Sequence, residues 1–327
     1  PRIVLGTKDY KIEVPTTHEY LFFDGWYDGN IQVTNSLGEG LKPWAYDKEV
    51  TLKAKWVEQK IENGITYVYN GFYPQTRVTD AETIAALSKI TTTNSRGYIV
   101  FEGEEYAKVV YNNAKEGAKF NDGVALKYKS TYYFKVEKIL WRVIDEKQGI
   151  ALSEYIIDAK PYYKDLEMRE EYNSFGVLED VCPNNFLRST INEWLNCVND
   201  YETNGFALTV YKTEDDLFDS VKMTLGIDNS LESTLAKDST GLYVVGDTDG
   251  YFYPLSHKEY KETYAEKITG KAVATDYAIA KELASTSWWL RSPASSKNKA
   301  LYVKADGKVD FEIVTYYFGI RPAANLK

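Results

Sequence analysis

Cysteine, histidine and methionine are scarce, with only two of each in 327 residues. Two cysteines cannot build the disulfide framework of a small secreted scaffold, nor give a structural zinc its four ligands. Cys182 and Cys197 flank Asn185 to Asn196, where Phe186, Leu187, Ile191, Trp194 and Leu195 recur at helical spacing behind Pro183 and Asn184. If that stretch is one helix, a rise of about 1.5 Å per residue sets the sulfurs roughly 20 Å apart, so unbridged thiols are expected. A histidine-based triad is also poorly served. His18 lies in an N-terminal region of its own, and Ser256 and His257, as neighbours on an extended strand, point to opposite faces.

Clustered basic charge and long apolar runs are missing too. With 39 Lys and Arg against 48 Asp and Glu, the formal charge is -9, and no basic run interleaved with aromatics offers a track for phosphates. No apolar run is long enough to span a bilayer. The opening Pro1-Arg2-Ile3 has neither an initiator Met nor an apolar leader, and Asn325-Leu326-Lys327 carries no anchor signal. A mature fragment is therefore expected, with any anchor outside it.

Aromatics are abundant, with 28 Tyr and seven Trp, and 44% of the residues are hydrophobic, enough for a substantial core. Tyrosine suits both β-strands and wet binding surfaces. Residues 1–57 read as a small sheet: Lys11-Ile12-Glu13-Val14 and Val50 to Trp56 alternate, and Tyr20 to Phe23 is an aromatic run. Trp26, Trp44 and Trp56 could be ligand platforms, but Trp26 and Trp56 at least are expected in the core. The polar stretch Glu58 to Gly64 reads as a connector and domain boundary. Strands are expected at Ile65 to Phe72, Tyr98 to Phe101, Ala107 to Tyr111, Tyr132 to Val136, Ile139 to Ile144 and Ile150 to Leu152. Helices are expected at Ala81 to Ile90 behind Thr79-Asp80, at Asn185 to Asn196, at Lys258 to Lys267 and at Asp276 to Leu283. Ala159 to Gly176 reads as loop or irregular helix, and Leu217 to Tyr243 has weak periodicity. Without regular strand-helix alternation, the class is α+β.

The close of the chain gathers two aromatic runs, Trp288-Trp289-Leu290-Arg291-Ser292-Pro293 and Phe318-Gly319-Ile320-Arg321-Pro322, around Leu301-Tyr302-Val303 and a turn at Ala305 to Lys308. These predict the last antiparallel strands of a central sheet, with pairing stopped at Pro293 and Pro322. On such a strand Trp288 and Leu290 face one way, Trp289 and Arg291 the other. Arg291 and Arg321 are expected to hold carboxylates inside the fold as bidentate pairs. The competing reading is an aromatic ligand surface, and its candidate residues are Trp289, Arg291, Tyr316 and Tyr317. Acidic residues are too numerous for any one pair to mark a hydrolase. Asp247-Thr248-Asp249-Gly250 departs from a calcium loop, having Gly250 fourth and Lys258 twelfth, and reads as a turn.

The closing phrases resemble the DUF6273 family of bacterial secreted and surface proteins, whose function is unassigned. Asn70 to Thr76, Ile139 to Ile144, Phe186-Leu187-Arg188 with Ile191 to Asn196, Tyr253 to Ser256 and Ala274 to Ala278 carry the resemblance in the same order across residues 60–327. Phe23 to Tyr27 and Val50 to Trp56 are similar to the Listeria-Bacteroides repeat, a β-grasp-like surface module that normally has one further strand at its start. The Trp-rich close and Gly319-Ile320-Arg321-Pro322 resemble the formylglycine-generating-enzyme branch of C-type-lectin-like folds. That branch carries a cysteine pair near its C-terminus, whereas no cysteine follows Cys197 here, so its copper chemistry is not implied.

The resulting expectation is α+β: a β-grasp-like module at 1–57, then a C-type-lectin-like domain at 58–327 with a central antiparallel sheet. The function expected is non-catalytic binding at the cell surface or outside the cell, by a monomer without cofactor or metal, of a glycan or a protein of host or neighbouring cells. The alternatives are a carboxylate-based hydrolase of polysaccharide or cell wall, and a purely structural spacer.

Overall fold

The computed structural model describes residues 3–15, 22–113, 117–167, 169–172, 178–196, 205–210, 223–225, 248–283 and 285–325. The fold is mixed α and β, mostly open sheets with few and short helices. It divides into two compact units, Pro1–Tyr69 and Asn70–Lys327.

In the first unit, β1 (Phe22–Asp28) pairs with β2 (Ile31–Gln32) on one side and β3 (Lys53–Val57) on the other, all antiparallel. The register slips between Phe23 and Gly25. A Cβ at Gly25 would lie 2.2 Å from the Thr34 carbonyl oxygen, so only glycine lets the loop after β2 come that close. Ile12, Val33 and Trp44 are buried together, with Trp26, Tyr46, Val50 and Leu52 packed against them. Trp26 and Trp56 both pack on Phe23, at 5.7 and 5.6 Å between ring centroids. Two expected strands are shorter or absent. Lys11 makes a single bridge to Glu39, and the pairing before Trp56 starts only at Lys53.

Glu58 to Gly64 is not a bare connector. It contains β4 (Gln59–Glu62), which turns through Asn63 and Gly64, at φ +51° and +72°, into the start of β5 (Ile65–Arg77). Two consecutive positive φ values are what a tight hairpin needs, and Asn-Gly supplies them.

In the second unit, β5 neighbours the long strand β8 (Thr131–Asp145). Gly71 within β5 stands at φ +61°, and the Asn70 carbonyl beside it accepts the Trp141 indole N–H at 2.9 Å. After β5 comes α1 (Ala81–Leu87), capped by Asp80, then the hairpin of β6 (Ile99–Phe101) and β7 (Glu104–Val110), with β7 on β8. Glu105 pairs with the buried Arg96. β8 turns back into β9 (Ile150–Ser153).

Two chain passages tie this sheet to a second one of five strands. From β9 the chain passes to β10 (Asp158–Pro161), inside the stretch expected to lack strands; β11 (Arg169–Tyr172) and β12 (Leu178–Val181) then form a hairpin. The closing strands are β16 (Trp288–Pro293), β17 (Lys299–Val303), β18 (Val309–Ile313), β19 (Tyr317–Ile320) and β20 (Ala323–Asn325), with order β10-β19-β16-β17-β18 in the second sheet. β16 and β19 meet in parallel, Trp288 beside Gly319, because the chain leaves β18 for the far side of β16 rather than adding another hairpin. The sheet is therefore mixed, not purely antiparallel. The Pro322 carbonyl accepts the Ser153 N–H at 2.8 Å as the chain crosses into β20, which lies between β9 and β15 (Phe252–Tyr253).

The helix expected over Asn185 to Asn196 is broken. A single 3-10 turn, Phe186–Arg188, ends at Ser189 in extended conformation, and α2 (Thr190–Asn196) starts there, with the Ser189 hydroxyl accepting the Asn192 N–H at 3.0 Å. The premise of the cysteine argument therefore fails. Cys182 is a buried thiol, and Cys197 lies outside the described residues. α3 (Phe206–Thr209) follows. Lys258 to Lys267 contains a π turn at Glu259–Thr263, and Asp276–Ala280 is a short helix capped by Thr275. All of Leu217 to Tyr243 lies outside the described residues except β13 (Met223–Leu225).

Candidate ligand-binding face

β16 is buried along its whole length, on both faces. Trp288 meets Tyr260 edge-on at 5.5 Å and the Arg321 guanidinium at 5.4 Å. Trp289 is packed by Tyr162, Tyr302 and Phe318, and its indole N–H donates to the Lys160 carbonyl at 3.1 Å. The expectation of an outward tryptophan is thereby corrected. Trp289 has 0% of its surface exposed and offers no ring to a ligand.

Arg291 is interior as well. Its Nη2 donates to Glu259 Oε1 at 2.9 Å, its Nη1 to Glu259 Oε2 and to the Pro254 carbonyl, and it lies 5.4 Å from the Tyr253 ring. Glu259 also accepts the Ser256 N–H at 2.8 Å, while the Ser256 hydroxyl accepts the Glu259 N–H at 3.1 Å, a reciprocal capping box. Arg321 donates to the Ser153 and Thr269 carbonyls at 2.8 and 3.3 Å and lies 3.9 Å from Glu154, which Arg142 grips with two 2.8 Å bonds. These arginines tie strands together.

What does face outward is a shelf of rings over Trp289. Tyr302 stacks on Phe318 at 4.3 Å, and Tyr316 lies 6.2 Å from Phe318. Phe318 is buried, Tyr302 is partly open and Tyr316 is 53% exposed, so the shelf reaches solvent through its two tyrosines. Pairing register puts Asp310 opposite Tyr302, and Glu312 falls on the same face two residues along β18. Burial, and then the negative charges of Asp310, Glu312 and Asp306, raise the Tyr302 pKa, so this phenol stays protonated and able to donate. Tyr317, 44% exposed, alternates to the face opposite Phe318 and is not part of the shelf. Of the four sequence candidates, then, Tyr316 sits on the shelf, Trp289 underlies it, Arg291 is elsewhere in the core and Tyr317 faces away.

The residues missed were Tyr302, Phe318, Asp310 and Glu312. Their signal was present. The turn at Ala305 to Lys308, closed by the Lys304 N–H to the Lys308 carbonyl at 2.8 Å, fixes the β17-β18 register and so puts Tyr302 beside Asp310.

A second cluster is closed to solvent. Asp158, 1% exposed, accepts the Tyr73 hydroxyl at 2.5 Å and the Ala159 N–H at 2.7 Å. Tyr277 packs on Tyr73 at 5.5 Å, and Trp194 lies 6.1 Å away. Burial first, and then the Asp158 charge, push the Tyr73 and Tyr277 pKa values well above the ordinary phenol range. Three phrases singled out in the sequence thus meet at one buried carboxylate. In the first unit, an open groove of about 1270 Å³ runs past Trp26, Trp44 and Tyr46.

Thr248 to Gly250 forms β14, paired with β13, rather than a turn, and Asp247 and His18 lie outside the described residues. Among the described residues no three His, Cys, Asp or Glu gather as a metal site. Among the described residues, too, no helix is long and apolar enough to cross a membrane.

Residues 179–327 match the family model of DUF6273, a domain of unknown function. The shelf residues Tyr302, Asp310, Glu312, Tyr316 and Phe318 all fall inside the DUF6273 region, whereas Tyr73, Asp158 and Lys160 precede it. The phrases at Asn70 to Thr76 and Ile139 to Ile144, which resemble the family, also lie outside the match. Comparison with curated proteins and with solved structures returned no match.

Proposed function

We propose that the second unit is a non-catalytic glycan-binding domain of a secreted or surface protein, with the Tyr302-Phe318-Tyr316 shelf as its binding face. The observation carrying this reading is a stack of aromatic rings, partly open to solvent, with two carboxylates beside it. Sugar rings offer C–H faces to aromatic platforms and hydroxyls to neighbouring acids, and both kinds of partner are present here. The resemblance to C-type-lectin-like folds, and of the first unit to the β-grasp-like Listeria-Bacteroides repeat, supports the surface location. Because the closing tryptophans and arginines are interior, we take the shelf rather than these residues as the binding face.

The test is a glycan array read with wild type, Tyr302→Ala and Tyr316→Ala. Wild type should bind, and Tyr316→Ala should weaken binding by about tenfold, roughly 1.4 kcal/mol. Because Tyr316 is exposed, its melting temperature should scarcely move. If no glycan binds, or binding survives both substitutions, the reading fails; capture of a defined surface protein by the same shelf would replace it with protein recognition.

A further inference from the structure

Lys160 stands on the same sheet face as the shelf. In the β10-β19 pairing it lies directly opposite Phe318, and opposed residues share a face. The rest of that row runs through Trp289, opposite Tyr302, to Asp310, opposite Tyr302 in turn. With strands about 4.8 Å apart, the row from β10 to β18 is roughly 19 Å long. It is polar in a defined sense: a cation at the β10 end, rings in the middle, carboxylates at the β18 end.

Lys160 is partly buried, and its ammonium lies 4.8 Å from the Trp194 ring centroid. Among the described residues no carboxylate is within ion-pair distance of it. The acid two positions back, Asp158, already accepts the Tyr73 hydroxyl and the Ala159 N–H. On an exposed strand edge a lysine is ordinary. Here the lysine is held over an indole, on the sheet face that carries the shelf.

We propose that Lys160 receives the carboxylate of an acidic sugar, such as a uronate or sialate residue, whose neighbouring rings lie along the shelf toward Tyr302 and whose hydroxyls reach Asp310 and Glu312. This inference rests on the glycan-binding reading and names its ligand class. The formal charge of -9 opposes anions at long range, so selection for the acid must come from this short-range contact.

The experiment pairs acidic oligosaccharides, oligogalacturonate and a sialylated glycan, each with the same compound after reduction of its carboxylates to hydroxymethyl groups. Binding is measured by calorimetry for wild type, Lys160→Gln, Lys160→Arg and Tyr302→Ala, with circular dichroism as the folding control. Wild type should prefer at least one acidic form by about tenfold, as befits a charge-assisted contact. Lys160→Gln should erase that preference while leaving the neutral form's affinity unchanged, Lys160→Arg should keep it, and Tyr302→Ala should weaken both forms. Equal affinity for acidic and neutral forms, or a preference that survives Lys160→Gln, overturns the acidic-sugar inference and leaves the shelf standing. If no member of either series binds, or binding ignores Tyr302→Ala, the shelf itself falls and the inference with it.

Discussion

Glu259 shows how a buried ion pair is judged. Its carboxylate meets the Arg291 guanidinium through two bonds, with the Arg side chain 7% and the Glu side chain 21% exposed. The pair need not be worth much against an apolar replacement of both residues, but removing one member strands the other in a low-dielectric interior. Glu259→Ala should therefore cost about 3–5 kcal/mol, read as a shift in the urea midpoint. A loss below about 1 kcal/mol would mean that Arg291 finds solvent instead. Gly71 poses the opposite case, because nothing is lost except permission. At φ +61° a Cβ is strained, so Gly71→Ala should destabilise by about 1–2 kcal/mol, with loosening of the Trp141 indole bond to Asn70 visible in tryptophan fluorescence.

Among the elements, those governed by local chemistry were legible in the sequence. α1 formed behind its cap, and the strands expected at Ile139 to Ile144 and Ile150 to Leu152 pair with each other as the hairpin of β8 and β9. The cap allows a pH prediction. The N–H and hydroxyl of Thr83, each 2.7 Å from Asp80 Oδ2, lower the Asp80 pKa. A depressed folded-state value means that the stabilisation is full above the unfolded carboxylate pKa of about 4 and is lost as pH falls through the lower folded value. Asp80→Ala should thus lower the melting temperature at pH 7, and the gap from wild type should close in acid. An equal gap at pH 7 and in strong acid would assign the effect to something other than the charged cap. Elements decided by competition were less legible. Helical spacing from Asn185 to Asn196 gave no warning that the Ser189 hydroxyl would capture the Asn192 N–H and split the helix. Asn63-Gly64 was a readable hairpin signal, hidden by the polarity of Glu58 to Gly64 around it.

For the molecule as a whole, the sequence indicated that the closing strands belong to the main body. It did not show that they are shared between two sheets, because strand order depends on contacts far apart in the chain. β19 completes the five-stranded sheet beside β16 and β10, and three residues later β20 is inserted between β9 and β15. Arg321, 1% exposed, sits at the crossing and binds the Ser153 and Thr269 carbonyls. A chain ending at Ile320 would keep every ring of the shelf yet lose β20, the Arg321 bonds and the cover over Trp288. If the crossing is what joins the sheets, that truncation should abolish the near-ultraviolet dichroism of the packed tryptophans and replace a sharp thermal transition of the second unit with a broad one. Far-ultraviolet β signal should partly survive, since β16 to β18 and the β8-β9 hairpin pair without β20. A truncated chain that melts as sharply as wild type, within a few degrees, would show that each sheet is stable by itself and that the crossing merely closes the chain. Arg321→Met in the full chain separates the two contributions: it keeps β20 and removes only the guanidinium bonds, so a milder loss than truncation assigns the remainder to the strand.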